Sequence, residues 1–199
     1  MAGAIQSEYS ERVKILLIRR APALPRGTPG VLDAERPLTP SGRASFSVAA
    51  RGLARIVGRV DVLLTSPLTR ARETAEIAAA ALMDVAPVIE PTLASDRIHA
   101  TVAALAIHSP DATVALVGHE PMLGTLLARM VGSADAARFA LKRGGAALVD
   151  LPDGPASAGQ LVWFFPPRVL RALAHAVATV PLSSVANGQP AVVDRRNLL

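Results

Sequence analysis

The chain contains no cysteine, few aromatic residues and few lysines. Without cysteine, disulfide bonds, thiol catalysis and cysteine-ligated metal sites are excluded. Aromatic residues make up 3% of the 199 residues, which disfavours nucleic-acid binding that depends on base stacking. No stretch approaches the roughly 18 uninterrupted apolar residues of a transmembrane helix, and the N-terminus does not resemble a secretory signal. We therefore expect a cytoplasmic protein with no membrane or nucleic-acid partner.

Most of the positive charge comes from arginine, because Lys14 and Lys142 are the only lysines and the net charge is +5. A biased base composition accounts for such an excess, but guanidinium groups also bind phosphate oxygens in pairs. The basic residues form no run of five or more, which excludes a polybasic arm. Apolar residues make up 51% of the chain, enough for a full hydrophobic core.

Short β-branched and leucine-rich runs alternate with helical patterns, which predicts a three-layer α/β/α sandwich around a mainly parallel sheet. The predicted strands are 13–18, 61–65, 85–90, 113–117, 144–151 and 159–165, the last two forming an antiparallel pair. The predicted helices are 40–57, capped by Thr39, then 67–82, 97–107, a helix that follows Pro121 and ends near 132, and 169–180.

The expected domain organisation is an N-terminal tail over 1–12, one domain over 13–170, and a C-terminal helix with an irregular tail over 171–199. Residues 21–38 are rich in proline and glycine, which predicts a loop.

Several polar residues lie at or just beyond the ends of the predicted strands. They are Arg19, Arg20, Ser66, Arg70 and His119. In open α/β sheets, ligands bind outside the carboxyl ends of the strands. The sequence therefore predicts one shared site for an anion at this edge.

Four segments carry a resemblance to a known family. They are Ile18-Arg19-Arg20-Ala21, Arg36-Pro37-Leu38-Thr39-Pro40-Ser41-Gly42, Ser66-Pro67-Leu68-Thr69-Arg70-Ala71-Arg72-Glu73-Thr74-Ala75 and Gly118-His119-Glu120-Pro121. In this order they resemble the histidine phosphatase superfamily, and within it the SixA-type phosphohistidine phosphatases. The resemblance implies a phosphoglycerate mutase-like fold and Arg19, Arg70 and His119 as phosphate ligands. It also implies a phosphorylated protein or small molecule as the partner, with no cofactor.

The chain departs from the family pattern at Arg20, where the resemblance implies the phosphate-accepting histidine. A neutral imidazole has a lone pair that can accept a phosphoryl group. A guanidinium, with a pKa above about 12, stays protonated and offers none. We therefore expect Arg20 to bind phosphate without acting as a nucleophile.

The other candidates for chemistry have weaker support. The histidines at 99, 108 and 175 are expected to be solvated or packed, and no histidine has a partner at metal-ligand spacing. Ser66 is expected to cap the following helix. The family's larger members suggest a carboxylate proton donor, for which the candidates are Glu90, Asp96 and Glu120, each expected to be a solvated side chain.

Three functions remain open at this point. The first is a catalytically impaired phosphate-binding protein, or pseudophosphatase. The second is an active phosphohistidine phosphatase or phosphomonoesterase that uses another route. The third is a structural or interaction module that retains only the fold.

Overall fold

A six-stranded sheet forms the centre of the molecule, which is described by a computed structural model over residues 12–109 and 111–176. The strands are β1 (Val13–Arg19), β2 (Val62–Thr65), β3 (Pro87–Ile89), β4 (Thr113–Gly118), β5 (Ala146–Leu151) and β6 (Gln160–Phe165). Their order across the sheet is β3-β2-β4-β1-β5-β6. The first four strands are parallel, and β5 is antiparallel to both of its neighbours.

Five helices cover the two faces of this sheet. They are α1 (Pro40–Val57), α2 (Thr69–Ala81), α3 (Ile98–Leu105), α4 (Met122–Met130) and α5 (Pro167–His175). Helices α1, α2 and α5 share one hydrophobic cluster with the sheet, and α3 and α4 share the other. The predicted α/β/α sandwich around a mainly parallel sheet is therefore confirmed.

The continuous apolar run of β1 follows from its central position. Leu16 and Ile18 belong to the cluster on the α1 side, whereas Ile15 and Leu17 belong to the cluster on the α4 side. All four side chains are fully buried. A parallel strand that is covered on both faces needs apolar residues at every position.

A crevice at the carboxyl ends of β1 and β4 is the expected ligand position. These strands are parallel neighbours, with Arg19 opposite Gly118. The chain leaves β1 toward α1 on one face and leaves β4 toward α4 on the other. Such a reversal between adjacent parallel strands opens a crevice where ligands bind in α/β proteins.

Helix α1 begins as predicted and packs closely on α5. Thr39 accepts a hydrogen bond from the Gly42 backbone N–H at 3.0 Å, and Pro40 occupies the first helical position. Farther along, a Cβ atom on Gly52 would lie 1.8 Å from the Leu170 carbonyl oxygen of α5. The two helices can approach this closely only because residue 52 has no side chain.

Several predicted boundaries were wrong. Helix α2 begins at Thr69 rather than at Pro67, because Leu68 has an extended backbone conformation and serves as the N-cap residue. β5 begins at Ala146 rather than at Gly144, whose φ of 75° is incompatible with a strand. Helix α5 begins at Pro167, two residues before the predicted start.

Some expectations stay untested. The predicted tails over 1–12 and 181–199, and the helix end over 177–180, lie outside the described residues except for Arg12. The domain boundaries therefore remain a prediction. Among the helices of the described residues, none is both long and apolar enough to cross a membrane.

Candidate functional site

Backbone hydrogen bonds bring the three predicted site segments together at the carboxyl edge of the sheet. The Arg20 N–H donates to the Gly118 carbonyl at 2.9 Å, which extends the β1–β4 ladder by one residue. The Ser66 N–H donates to the Val117 carbonyl at 3.0 Å and extends the β2–β4 ladder. The segments that carry Arg20, Ser66 and His119 are therefore adjacent, because the sheet continues into them.

Arg20 is half-buried among other cations. Its Nη1 donates to the Ala21 carbonyl at 3.0 Å. Burial, followed by the charges of Arg143, Arg70, Arg19 and Arg36, lowers the pKa of Arg20 to about 10. A group with that pKa is deprotonated in only about one molecule in a thousand at pH 7. Arg20 is therefore a cation without an available lone pair.

Helix α2 supplies Arg70 and also fixes the chain beyond Arg20. Arg70 lies in the first turn of α2, and its backbone carbonyl accepts a hydrogen bond from Thr74 Oγ1 at 2.7 Å. The same Thr74 oxygen accepts the Ala21 N–H at 3.0 Å. One helical turn therefore positions the Arg70 side chain and the backbone that follows Arg20.

The Arg70 guanidinium already has a partner within the protein. Its Nη1 donates to the Asp33 carbonyl at 2.6 Å, and its Nη2 lies 3.4 Å from Asp33 Oδ2. Arg36 also bonds this carboxylate, with its Nε 3.0 Å from Oδ1. Arg26 holds the pKa of Asp33 below its usual value through a hydrogen bond, and Arg36 and Arg70 act in the same sense. Burial lowers the pKa of Arg70.

Arg19 and Glu120 together hold the segment that leads into β5. Arg19 Nη1 donates to the Leu141 carbonyl, and Glu120 Oε1 accepts the Leu141 N–H at 2.9 Å. Glu120 Oε2 accepts the Gly124 N–H at 3.2 Å. Burial raises the pKa of Glu120, and the expectation that it is a solvated side chain was therefore wrong. Its two oxygens act as backbone acceptors.

His119 is paired with Ser66 rather than with a carboxylate. The Nε2 atom of His119 and the Oγ atom of Ser66 lie 2.9 Å apart, and Nδ1 is buried with no partner in the described residues. Burial, followed by the charges of Arg70, Arg20 and Arg19, lowers the pKa of His119 to about 4. The imidazole is therefore neutral at pH 7.

The expected capping role of Ser66 was wrong. The residue that caps α2 is Leu68, which makes no side-chain hydrogen bond as a cap. Ser66 is fully buried and contacts His119 instead. The helix begins at Thr69, three residues after Ser66, so Ser66 is too far from its first turn to act as the cap.

The remaining sequence candidates make no side-chain hydrogen bond or ion pair, within the described residues, with the charged cluster formed by Arg19, Arg20, Asp33, Arg36, Arg70, His119 and Arg143. Glu90 caps a short 3₁₀ turn by accepting the Thr92 N–H at 2.9 Å. Asp96 lines an open cavity of about 650 Å³ together with His99 and Arg129. His175 is exposed at the end of α5, and His108 is half-buried beyond α3. In the described ranges, no group of His, Asp and Glu side chains is arranged to hold a metal ion.

Three residues of the cluster were not identified from sequence. The charges of Arg36 and Arg143 lower the pKa of Arg20, and the charge of Asp33 acts in the opposite sense on Arg70 and on His119. Arg36 lies within one of the family motifs, and Asp33 lies three residues before it, which could have suggested an ion pair at i, i+3. Arg143 precedes the Gly144-Gly145 pair, a pattern typical of a turn.

The folded protein should lose stability as the pH falls from 6.5 to about 4, because of His119. Its pKa is 6.5 in the unfolded chain and about 4 in the folded protein, so only the unfolded state takes up a proton in this window. The stabilisation is complete above pH 6.5 and is lost toward pH 4, and its upper limit is about 3 kcal/mol. Urea unfolding at pH 7 and at pH 4.5 measures this loss.

His119→Gln is the control, because its amide can still bond Ser66 but does not titrate. It should flatten the dependence between pH 6.5 and 4. Glu120 has the opposite effect on stability. Because its pKa is raised in the folded protein, the folded state takes up this proton at a higher pH than the unfolded chain does. Asp33 and Asp150 have lowered pKa values, so their protonation reduces the stability of the folded protein only when the pH falls below the usual carboxyl pKa of 3.8. An unchanged slope in His119→Gln would show that another group is responsible.

Part of the chain is similar to known proteins. A family model described as histidine phosphatase superfamily (branch 1) matches residues 30–95, which include the segments 36–42 and 66–75. An uncharacterized protein of Picosynechococcus sp. is 41% identical over 95 residues, covering 46% of this chain and 58% of that protein. The match therefore spans less than two thirds of that relative.

Solved structures share most of the described fold. The SixA protein of Agrobacterium tumefaciens is 25% identical with a TM-score of 0.66, covering 77% of this chain and 97% of that one. A protein histidine phosphatase SixA complexed with tungstate is 21% identical with a TM-score of 0.65, covering 79% and 99%. A phosphoglycerate mutase of Plasmodium falciparum is 20% identical with a TM-score of 0.58, covering 88% and 98%. The last two show the fold alone.

The resemblance identified from the four sequence segments is therefore confirmed, as is the phosphoglycerate mutase-like fold. Residues 30–95 match the histidine phosphatase superfamily (branch 1), and the described fold is similar to that of SixA proteins.

Proposed function

We propose that this protein binds a phosphoryl group at the carboxyl edge of its sheet and is catalytically impaired, as a pseudophosphatase. The single observation that carries the proposal is the state of Arg20. This residue occupies the position that we assign to the phosphate-accepting histidine, at the exit of β1, and it remains protonated at neutral pH. It can bind phosphate oxygens but cannot attack phosphorus.

The charge of the cluster favours an anionic ligand. Burial lowers the pKa of His119, and the charges of Arg70, Arg20 and Arg19 lower it further, so three positive charges act on this imidazole. Two unit charges about 4 Å apart repel by roughly 4 kcal/mol at an effective dielectric constant near 20. A phosphoryl group with a charge of about −1.5 to −2 relieves this repulsion. The tungstate bound to the SixA relative is an oxyanion of similar shape and charge.

One observation favours the alternative of an active phosphatase. His119 is neutral at pH 7 and carries a lone pair, which a nucleophile or a general base needs. Its Nε2 atom, however, lies against the fully buried Ser66. Charge stabilisation by the arginines could also support slow hydrolysis by water. The third alternative, a module that retains only the fold, requires that no oxyanion binds.

Titration with phosphate and tungstate, followed by calorimetry or by the rise in Tm, tests the binding. Arg70→Gln should weaken oxyanion binding about 10- to 100-fold, the value of one or two charge-assisted hydrogen bonds. Arg72→Gln is the matched control, because Arg72 is exposed two residues later on the same helix and loses the same charge. Its affinity should stay within about twofold of the parent.

Because Arg70 also bonds Asp33, its variant must be shown to fold by circular dichroism. Arg20→Gln provides a second variant, since no carboxylate bonds Arg20 within the described residues. It should weaken oxyanion binding to a similar extent. Absence of saturable binding by the parent protein at low salt would refute the proposal and favour the structural module.

A further inference from the structure

Arg143, the fifth arginine of the cluster, lies in a tight turn beside the backbone of Arg20. The Gly145 N–H donates to the Lys142 carbonyl at 2.7 Å, and Gly144 has a φ of 75°. This is the geometry of a β-turn in which the third residue is left-handed, a position that glycine favours. Arg143 therefore lies at the second position of the turn, where its side chain is exposed.

The turn is fixed against the exit of β1. The Gly144 N–H is shared between the carbonyls of Arg19 and Arg20, at 3.0 and 3.2 Å, and the Arg19 N–H donates to the Gly145 carbonyl at 3.0 Å. At its other end, the buried Leu141 is bonded to Glu120 and Arg19 through both of its backbone groups. The backbone of Arg143 is therefore held at a set position beside that of Arg20.

The arginines of the cluster differ in their acidic partners. Arg70 and Arg36 share Asp33, and Glu120 exerts an opposing charge on Arg19. In the described residues no carboxylate is within ion-pair distance of Arg20 or Arg143. The charge of Arg143 nevertheless acts on Arg20 more strongly than that of Arg70 or Arg19. The excess positive charge is therefore concentrated on the side of the turn, away from Asp33.

We propose that Arg20 and Arg143 form a second anion subsite next to the phosphoryl site, so that the preferred ligand carries two linked phosphoryl groups, as in a diphosphate. This inference rests on the proposed phosphoryl binding and extends it to a ligand class. The first group contacts Arg19, Arg20, Arg70 and His119, and the second lies between Arg20 and Arg143, so that Arg20 contacts both groups. Guanidinium groups suit this arrangement because each presents a planar pair of donors to phosphate oxygens.

A single phosphoryl dianion is too small a charge for the whole cluster. The charge of Glu120 opposes that of Arg19, and the charge of Asp33 acts on Arg70 and on His119. A diphosphate brings about one further negative charge at neutral pH and places it on the side that lacks an acidic partner. Because exposed charges are screened by salt, the contribution of Arg143 should decrease as the ionic strength rises.

Competitive binding of inorganic pyrophosphate and inorganic phosphate at one fixed ionic strength tests the inference. Pyrophosphate should bind at least about tenfold more tightly than phosphate to the parent protein. Arg143→Gln should remove most of this preference and leave the phosphate affinity within about twofold of the parent. Lys142→Gln is the matched control, since the exposed Lys142 precedes Arg143 in the same turn. It should retain the preference.

The outcomes separate this inference from the proposed function. Equal affinities for the two ligands would overturn the second subsite and leave phosphoryl binding intact. Loss of the preference in Lys142→Gln as well would attribute it to general charge attraction, which also overturns the subsite. If neither ligand binds, both proposals fail. Arg143→Lys should retain part of the preference, because it keeps the charge but not the paired donors.

Discussion

Arg20→His should raise phosphatase turnover of an aryl phosphate or a phosphohistidine peptide by at least about 10²-fold. Removing the nucleophile from a covalent mechanism costs orders of magnitude in turnover, and restoring it should recover much of that loss. The backbone at residue 20 is held by Gly118 and Gly144, and the next residue by Thr74, so an imidazole would project from a fixed position. Burial and the surrounding positive charges, which together keep His119 neutral, would also keep this imidazole neutral and nucleophilic.

One further variant and the detection of an intermediate make this result interpretable. Arg20→Gln removes the same positive charge without adding a nucleophile, and it should not gain activity. In Arg20→His, a phosphorylated intermediate that is stable to base and labile to acid should appear on residue 20. A gain in Arg20→Gln equal to that in Arg20→His would show that charge, not nucleophilicity, limits turnover. No gain in Arg20→His would mean that other parts of the site are also incompatible with catalysis.

Gly52→Ala should lower the free energy of unfolding by about 3 kcal/mol or more, because its Cβ would lie 1.8 Å from the Leu170 carbonyl oxygen. Backbone atoms cannot move aside as a flexible side chain can, so α1 and α5 would have to separate. Leu170 is fully buried between them, and separation would expose it. Urea unfolding measures the change as a shift in midpoint at constant slope.

The sign of this effect is informative. In a helix without neighbours, replacing glycine by alanine stabilises by roughly 1 kcal/mol, because alanine has the higher helix propensity. A more stable Gly52→Ala variant would therefore contradict the close packing of α1 on α5. Arg51→Ala, at an exposed position of the same helix, is the control and should change stability by less than about 0.5 kcal/mol.

The parts of the fold that local chemistry determines could be predicted from the sequence. The β1 run had to be a strand buried on both faces, and Thr39-Pro40 is a local signal for a helix start, which the Gly42 bond confirms. Arg19, Arg20 and His119 could be placed at one edge because parallel strands align their carboxyl ends.

Other parts depend on contacts between distant segments and could not be predicted. The bond of Arg70 to Asp33 joins residues 37 apart, and nothing in the 21–38 loop indicates which way its acidic side chain turns. The partnership of Ser66 with His119 joins residues 53 apart. Serine before a helix is usually a cap, and here the sheet edge takes precedence over that local preference.

The hydrogen bonds that hold residue 20 come mainly from the main chain of its neighbours, and they do not depend on which side chain it carries. A change of identity there alters the chemistry and leaves the architecture intact. Histidine and arginine codons can differ by a single base. One mutation could therefore replace a nucleophilic histidine by a phosphate-binding arginine at this position, and a second could reverse it.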